Sequence, residues 1–107
     1  MLQFEMLVLE RKLGQGLVIG DNIEVVVTRF GNDTESGEIV PVLWISIIEG
    51  NISKIAKLKQ KVVYGYNSGI SFEYLSRRQQ FAKIGITAPK EVTIYRKELL
   101  DRVKTPY

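Results

Sequence analysis

The sequence predicts a mainly β domain, and three observations carry that reading. Ile23, Val25 and Val27 alternate with Glu24, Val26 and Thr28 in a β-branched run that has the two-residue period of a strand. Turn residues at Gly14-Gln15-Gly16, Gly20-Asp21-Asn22, Gly31 to Gly37 and Gly65 to Gly69 cut much of the chain into pieces of strand length. Only two stretches, one after Asn51 and one after Lys97, show the three-to-four spacing of a helix. A length of 107 residues fits a single domain, 1–107, able to bury ~60–70% of the surface its unfolded chain exposes.

The elements follow in order. Met6 to Glu10 is too apolar for simple alternation, as expected of a strand covered on both faces, and Gly14-Gln15-Gly16 turns it into Leu17-Val18-Ile19. Gly20-Asp21-Asn22 leads into the alternating strand of Ile23 to Thr28, so three strands meander before Phe30. Gly31 to Gly37 reads as a polar loop, and Ile39 to Ile48 as a strand with Pro41 near its start or at an edge. Asn51 or Ser53 then caps a predicted helix whose apolar positions are Ile52, Ile55, Leu58 and Val62, with Lys54, Lys57 and Lys61 on its wetter face. Gly65 to Gly69 ends that helix. Ile70 to Leu75 alternates as a short strand, Phe81 to Ile86 forms another, and Ala88-Pro89 imposes a turn or an extended dipeptide. Val92 to Tyr95 is the last strand. A short C-terminal helix is predicted over Lys97 to Lys104, where Glu98 precedes Arg102 by four positions, Leu99 and Val103 share a face, and Pro106 ends the run. No internal repeat or low-complexity tract is evident.

Composition narrows the chemistry. The net charge is +3 and the isoelectric point about 9.2, a balance that favours an anionic partner. Without cysteine there is no disulfide, thiolate metal site or thiol nucleophile. Without histidine the commonest general base and metal ligand is missing. No nucleophile-base pair and no recognisable metal-ligand spacing can be assembled from what remains, so an enzyme is not expected. Charged Glu5, Glu10, Arg11 and Lys12 surround the early apolar run, which argues against a secretory signal. Ile39 to Ile48 is interrupted by Pro41 and Ser46 and falls short of the ~20 residues a membrane span needs. A soluble, cytoplasmic protein with no membrane partner is the expectation.

Two stretches, Met6-Leu-Val-Leu-Glu-Arg-Lys-Leu-Gly-Gln-Gly-Leu-Val-Ile-Gly-Asp21 and Lys83-Ile-Gly-Ile-Thr-Ala-Pro-Lys-Glu-Val-Thr-Ile-Tyr-Arg-Lys-Glu98, resemble the two ends of the carbon storage regulators, the CsrA/RsmA family of RNA-binding translational regulators. The resemblance covers Met6 to about Phe30 and Phe81 to Val103. Its most specific parts are Arg11, Gly14, Leu17 to Asp21, Ile84-Gly85, and Ala88-Pro89-Lys90-Glu91-Val92. It implies a small β-barrel or sandwich of about five core strands per subunit with a short C-terminal helix. It also implies a strand-interleaved homodimer, in which the first strand of one subunit lies beside the last strand of the other and two RNA sites result. The implied partners are messenger RNA and small regulatory RNA with GGA-containing loops, often at a ribosome-binding site, and a protein antagonist; no cofactor is implied. Core segments would be 6–30 and 80–104, with an inserted strand-helix segment at about 31–79.

Carried over by position, the RNA site implied by the resemblance takes Leu9, Glu10 and Arg11 from the first strand, and Ala88, Pro89, Ile94, Tyr95, Arg96 and Glu98 from the end of the chain. Arg11 and Arg96 are the principal candidates, because a planar guanidinium pairs with phosphate or with a guanine edge and stacks on an exposed base. The plain alternative is that both are solvated arginines at strand ends, and that Leu9, Ile94 and Ala88 pack a core. Gly14, Gly20 and Gly85 read as backbone requirements, and Gly14-Gln15-Gly16 lacks the lysine and hydroxyl of a phosphate loop. Two positions depart from the family pattern: Glu10 stands where a small hydroxyl residue is common, and Tyr95 where histidine is frequent. In the insertion, Lys54, Lys57, Lys61, Arg77 and Arg78 are candidates for accessory RNA contacts, with Lys59 beside them; a solvated face is the plainer reading. Trp44, Tyr64, Tyr66, Phe72 and Tyr74 mark the insertion as folded, and leave a protein-interaction module as the second functional reading.

Overall fold

Alternating apolar residues organise the described residues, 3–98 of a computed structural model, into nine strands. These are β1 (Phe4–Lys12), β2 (Gly16–Ile19), β3 (Ile23–Glu35), β4 (Glu38–Glu49), β5 (Ile52–Lys59), β6 (Val63–Asn67), β7 (Ile70–Arg78), β8 (Phe81–Pro89) and β9 (Ile94–Arg96). They form two antiparallel sheets, one of four strands in the order β1-β8-β7-β6 and one of five in the order β5-β4-β3-β2-β9. The mainly β expectation holds. Successive side chains of a strand point to opposite faces, so Ile23, Val25 and Val27 of β3 and Ile70, Phe72 and Tyr74 of β7 all turn inward. With Leu43, Ile45 and Ile47 of β4 and Ala82, Ile84 and Ile86 of β8, they form a single apolar cluster between the sheets.

The predicted helix over Asn51 to Val62 is instead strand β5. Its inward residues are Ala56 and Leu58, a period of two, and its backbone pairs along β4 from Val42↔Lys59 to Glu49↔Ile52. The three-to-four spacing of Ile52, Ile55, Leu58 and Val62 is incidental, since Ile52, Ile55 and Val62 are exposed. Asn51 belongs to a tight turn that Gly50 enters with φ +60°, and it caps nothing. The predicted loop from Gly31 is also mostly strand: β3 continues to Glu35, and only Ser36 and Gly37 turn the chain into β4. Pro41 lies near the start of β4 as expected, just beyond the last β4–β5 pair, and its carbonyl accepts the Gln60 amide. Lys97 and Glu98 open a helical turn, while the remainder of the predicted C-terminal helix lies outside the described residues.

Exchanging β1 with β5, β2 with β6, β3 with β7 and β4 with β8 converts β1-β8-β7-β6 into β5-β4-β3-β2. The chain therefore contains an internal repeat that its residues conceal. Among the described strands, only β9 has no counterpart.

Candidate nucleic-acid interface

Arg11, near the end of β1, ties the two ends of the chain together. Its residue is only 4% exposed. Nε donates to the Glu10 carbonyl at 2.9 Å and Nη1 to the Gly16 carbonyl at 2.9 Å. Nη1 and Nη2 also donate to Oε1 and Oε2 of Glu98 at 2.8 and 3.2 Å, a bidentate pair across the chain ends. Four of the five N–H donors that a guanidinium offers are thus engaged inside the chain. The Arg11 guanidinium holds the Glu98 carboxyl below its ordinary value of 4.5, assisted by a backbone hydrogen bond and by the charge of Arg96. Local sequence makes the arrangement possible. Gly14, at φ +85°, turns β1 back toward β2, and a Cβ on Gly16 would lie 2.6 Å from the Val25 carbonyl oxygen.

The clamp sets β9 beside β2 in the register Leu17↔Arg96, Val18↔Tyr95 and Ile19↔Ile94. Arg96 is exposed, and Tyr95 is 41% exposed. Leu9 and Ile94 are half-buried and pack against the core, while Ala88 is buried within it. A cavity of about 300 Å³ lies where the beginning of β1 approaches the chain between β8 and β9; Ala88, Pro89 and Ile94 line it, with Leu7 and Thr93. Glu10 points outward, and its Oε2 lies 3.2 Å from Nη2 of Arg78. The charge that repels phosphate at this position is therefore offset by a cation of β7.

The structure pairs Arg11 with Glu98 at the end of β1 and gathers Ala88, Pro89 and Ile94 around the cavity at its beginning, with Leu9 between them on β1; Tyr95 and Arg96 are exposed and project from opposite faces of β9. The accessory cations are not brought together. Arg78 adjoins Glu10, but Arg77 lies over the Phe30 ring at 3.9 Å and donates to the Gln79 carbonyl. Lys54 sits over Tyr64 and Tyr66. Lys57 pairs with Asp33 above Trp44, and its neighbour Lys59 pairs with Glu35, so these lysines bind the β3–β4 hairpin to β5. Lys61 occupies a turn at φ +66°. The wetter helix face expected for Lys54, Lys57 and Lys61 does not exist, because alternation along β5 sends Lys54 and Lys57 to opposite faces.

Sequence reasoning missed Lys12, Lys90 and Thr93. Lys12 ends β1 exposed beside the buried Arg11, and Lys90 and Thr93 line the cavity. The signal was available in Lys12, since alternation forces one of two adjacent strand residues outward when the other is buried. Among the described residues, no group of three or more acidic side chains is placed to hold a metal ion, and no helix is long and apolar enough to cross a membrane.

A family model described as CsrA, global regulator protein family, matches residues 6–34 and 56–105, well over half of the chain. The unmatched residues between the two stretches are consistent with an insertion. The second stretch begins inside β5, upstream of the family-like segment expected from residue 80. No solved structure matches the chain.

Proposed function

Because the chain belongs to the CsrA global regulator protein family, an RNA-binding family of translational regulators, we propose that its interface grips GGA-containing loops of messenger or small regulatory RNA and represses translation or alters message stability. The observation that carries this reading is the joining of β1 and β9 by the Arg11–Glu98 pair, which leaves Arg96 and Tyr95 exposed beside a cavity. Arg96 supplies the fork that pairs with phosphate or with a guanine edge, and Tyr95 the ring on which an unstacked base rests. Lys12 and Arg78 add charge. Ala88 and Pro89 shape the cavity and offer backbone groups to a base, while Leu7 and Ile94 form its apolar lining and Leu9 packs against the core. Arg11 and Glu98 act as positioning residues, with Glu10 held by Arg78. In this reading the protein works in the cytoplasm, needs no cofactor and catalyses no reaction.

The test is equilibrium binding of a hairpin presenting GGA in its loop, beside one with a scrambled loop, at two salt concentrations. Wild type is expected to prefer the GGA loop, and Arg96→Ala to lose about 1–3 kcal/mol of that preference with its melting temperature unchanged. Equal affinity for both loops, or an unaffected Arg96→Ala, overturns the proposal. The second reading, a protein-interaction module, gains from failure at this step, because Trp44 and Lys57 of the insertion form with Arg29 an exposed face away from the β1–β9 junction.

A further inference from the structure

The two halves of the chain share many backbone pairings, at a spacing of 47 residues from β1 to β3 that slips by one at the β6–β7 turn, where Asn67 pairs with Ile70 as Ile19 does with Ile23. Gly14 donates to the Val27 carbonyl at 2.8 Å, and Lys61 donates to the Tyr74 carbonyl at 2.8 Å, a spacing of 47 at both ends (14 to 61, 27 to 74). Gln15 donates to Lys12, and Val62 to Lys59. Gly14 and Lys61 both adopt positive φ, at +85° and +66°. The bulge between Val27 and Arg29 on β3 recurs between Tyr74 and Ser76 on β7. Beyond the β3–β4 turn the spacing shortens to 39 (45 to 84, 47 to 86), since Val27 pairs with Ile45 and Tyr74 with Ile84, and Val25 with Ile47 and Phe72 with Ile86. The amides of Leu13 and Gln60 reach the carbonyls of Gln80 and Pro41, the same relation read in opposite directions (41 to 80).

This correspondence identifies what each half contributes to the site. β1 comes from the first half and β9 from the second, so the Arg11–Glu98 junction joins the two halves of one chain. The symmetry-related junction would use β5 with a strand following β4. That strand does not exist: Gly50 and Asn51 alone separate β4 from β5, and β6 ends its sheet where β2 is covered by β9. The position equivalent to Arg11 is Leu58, since Arg11 pairs with Ala82 and Leu58 with Leu43 (11 to 58, 43 to 82), and Leu58 is fully buried. The position equivalent to Gly16 is Val63, which is exposed, and among the described residues no strand pairs with β6 as β9 does with β2.

We infer that one chain is a complete, monomeric binding unit with a single RNA site, assembled from the first strand of its first half and the last strand of its second half, and that the related position on β5 binds no RNA. This rests on the RNA-binding reading of the β1–β9 junction. Strands β5 to β8 stand to β1 to β4 as the strands of a second copy would, so the homodimer implied by the family resemblance is not needed to complete the site. One chain therefore engages one RNA element and cannot bridge two.

Sedimentation equilibrium of the full chain, without and with a saturating GGA hairpin, tests both parts separately. The expected mass of the free protein is that of one chain, 12.2 kDa, and the complex holds one chain and one hairpin. A free protein of twice that mass, or a complex in which RNA requires two chains, overturns the inference. A second hairpin bound per chain also overturns it. A monomer that ignores the hairpin refutes the RNA reading of the junction and leaves the single-chain assembly standing, so the two failures are distinguishable.

Discussion

Replacing Glu98 by glutamine removes one charge from the pair that closes the chain ends while keeping the shape and one carbonyl acceptor. The Arg11 side chain is 5% exposed and that of Glu98 is 42% exposed. Breaking a fully buried pair costs about 3–5 kcal/mol, whereas exposed pairs are worth about 0.2–1 kcal/mol. With one end buried and the other wet, solvent screens the loss and about 1–2 kcal/mol is expected. At a urea slope of about 2 kcal/mol/M, the unfolding midpoint should fall by roughly 0.5–1 M with no change of slope. The pH dependence follows from the sign of the shift. The folded-state pKa of Glu98 is depressed below 4.5, so the pair stabilises the fold above the unfolded value and the contribution is lost as pH falls through the lowered one. Wild type and Glu98→Gln should therefore differ at neutral pH and converge in acid. Midpoints that coincide at pH 7, or a gap that persists unchanged in acid, would refute the assignment of Arg11 and Glu98 as the clamp.

Four further outcomes follow from the same geometry. Lys61→Gly should stabilise the protein by about 0.5–1 kcal/mol, because Lys61 holds the positive φ that its counterpart Gly14 adopts freely; thermal unfolding measures it. Gly16→Ala should destabilise by about 1–3 kcal/mol, since the added Cβ meets the Val25 backbone oxygen, and chemical denaturation would show it. Arg78→Ala should leave stability within about 0.5 kcal/mol, as its pair with Glu10 is exposed, yet weaken RNA binding and flatten its salt dependence. Lys57→Ala, on β5 at the opposite edge of the sheet from β9, should leave RNA affinity unchanged in the same titration.

Much of the fold was legible because strand alternation is a local signal. Ile23 to Thr28, Ile70 to Leu75 and Phe81 to Ile86 all declared themselves in this way, and each is part of a strand. The β5 segment misled because its lysines and isoleucines fall at helical spacing, while the deciding contact, pairing with β4, is made by tertiary structure. The repeat was hidden for a different reason. Between residues 4 and 30 and their counterparts, only Lys12 with Lys59 and Ile23 with Ile70 are identical. What is shared is backbone hydrogen bonding, inward direction and the sign of φ, properties that many side chains satisfy. The site was partly legible: motif position led to Arg96 and Glu98, but the burial of Arg11 depends on the arrival of a residue 87 positions away.

The account turns on a site built from β1 and β9 of one chain, and amide chemical-shift mapping of the labelled protein with the GGA hairpin tests that most directly. Shifts confined to Glu10 to Lys12, Lys90 and Thr93 to Arg96, with Ser53 to Leu58 on β5 silent, are the predicted result. Shifts centred on β5, or on the Arg29–Trp44 face, would contradict it.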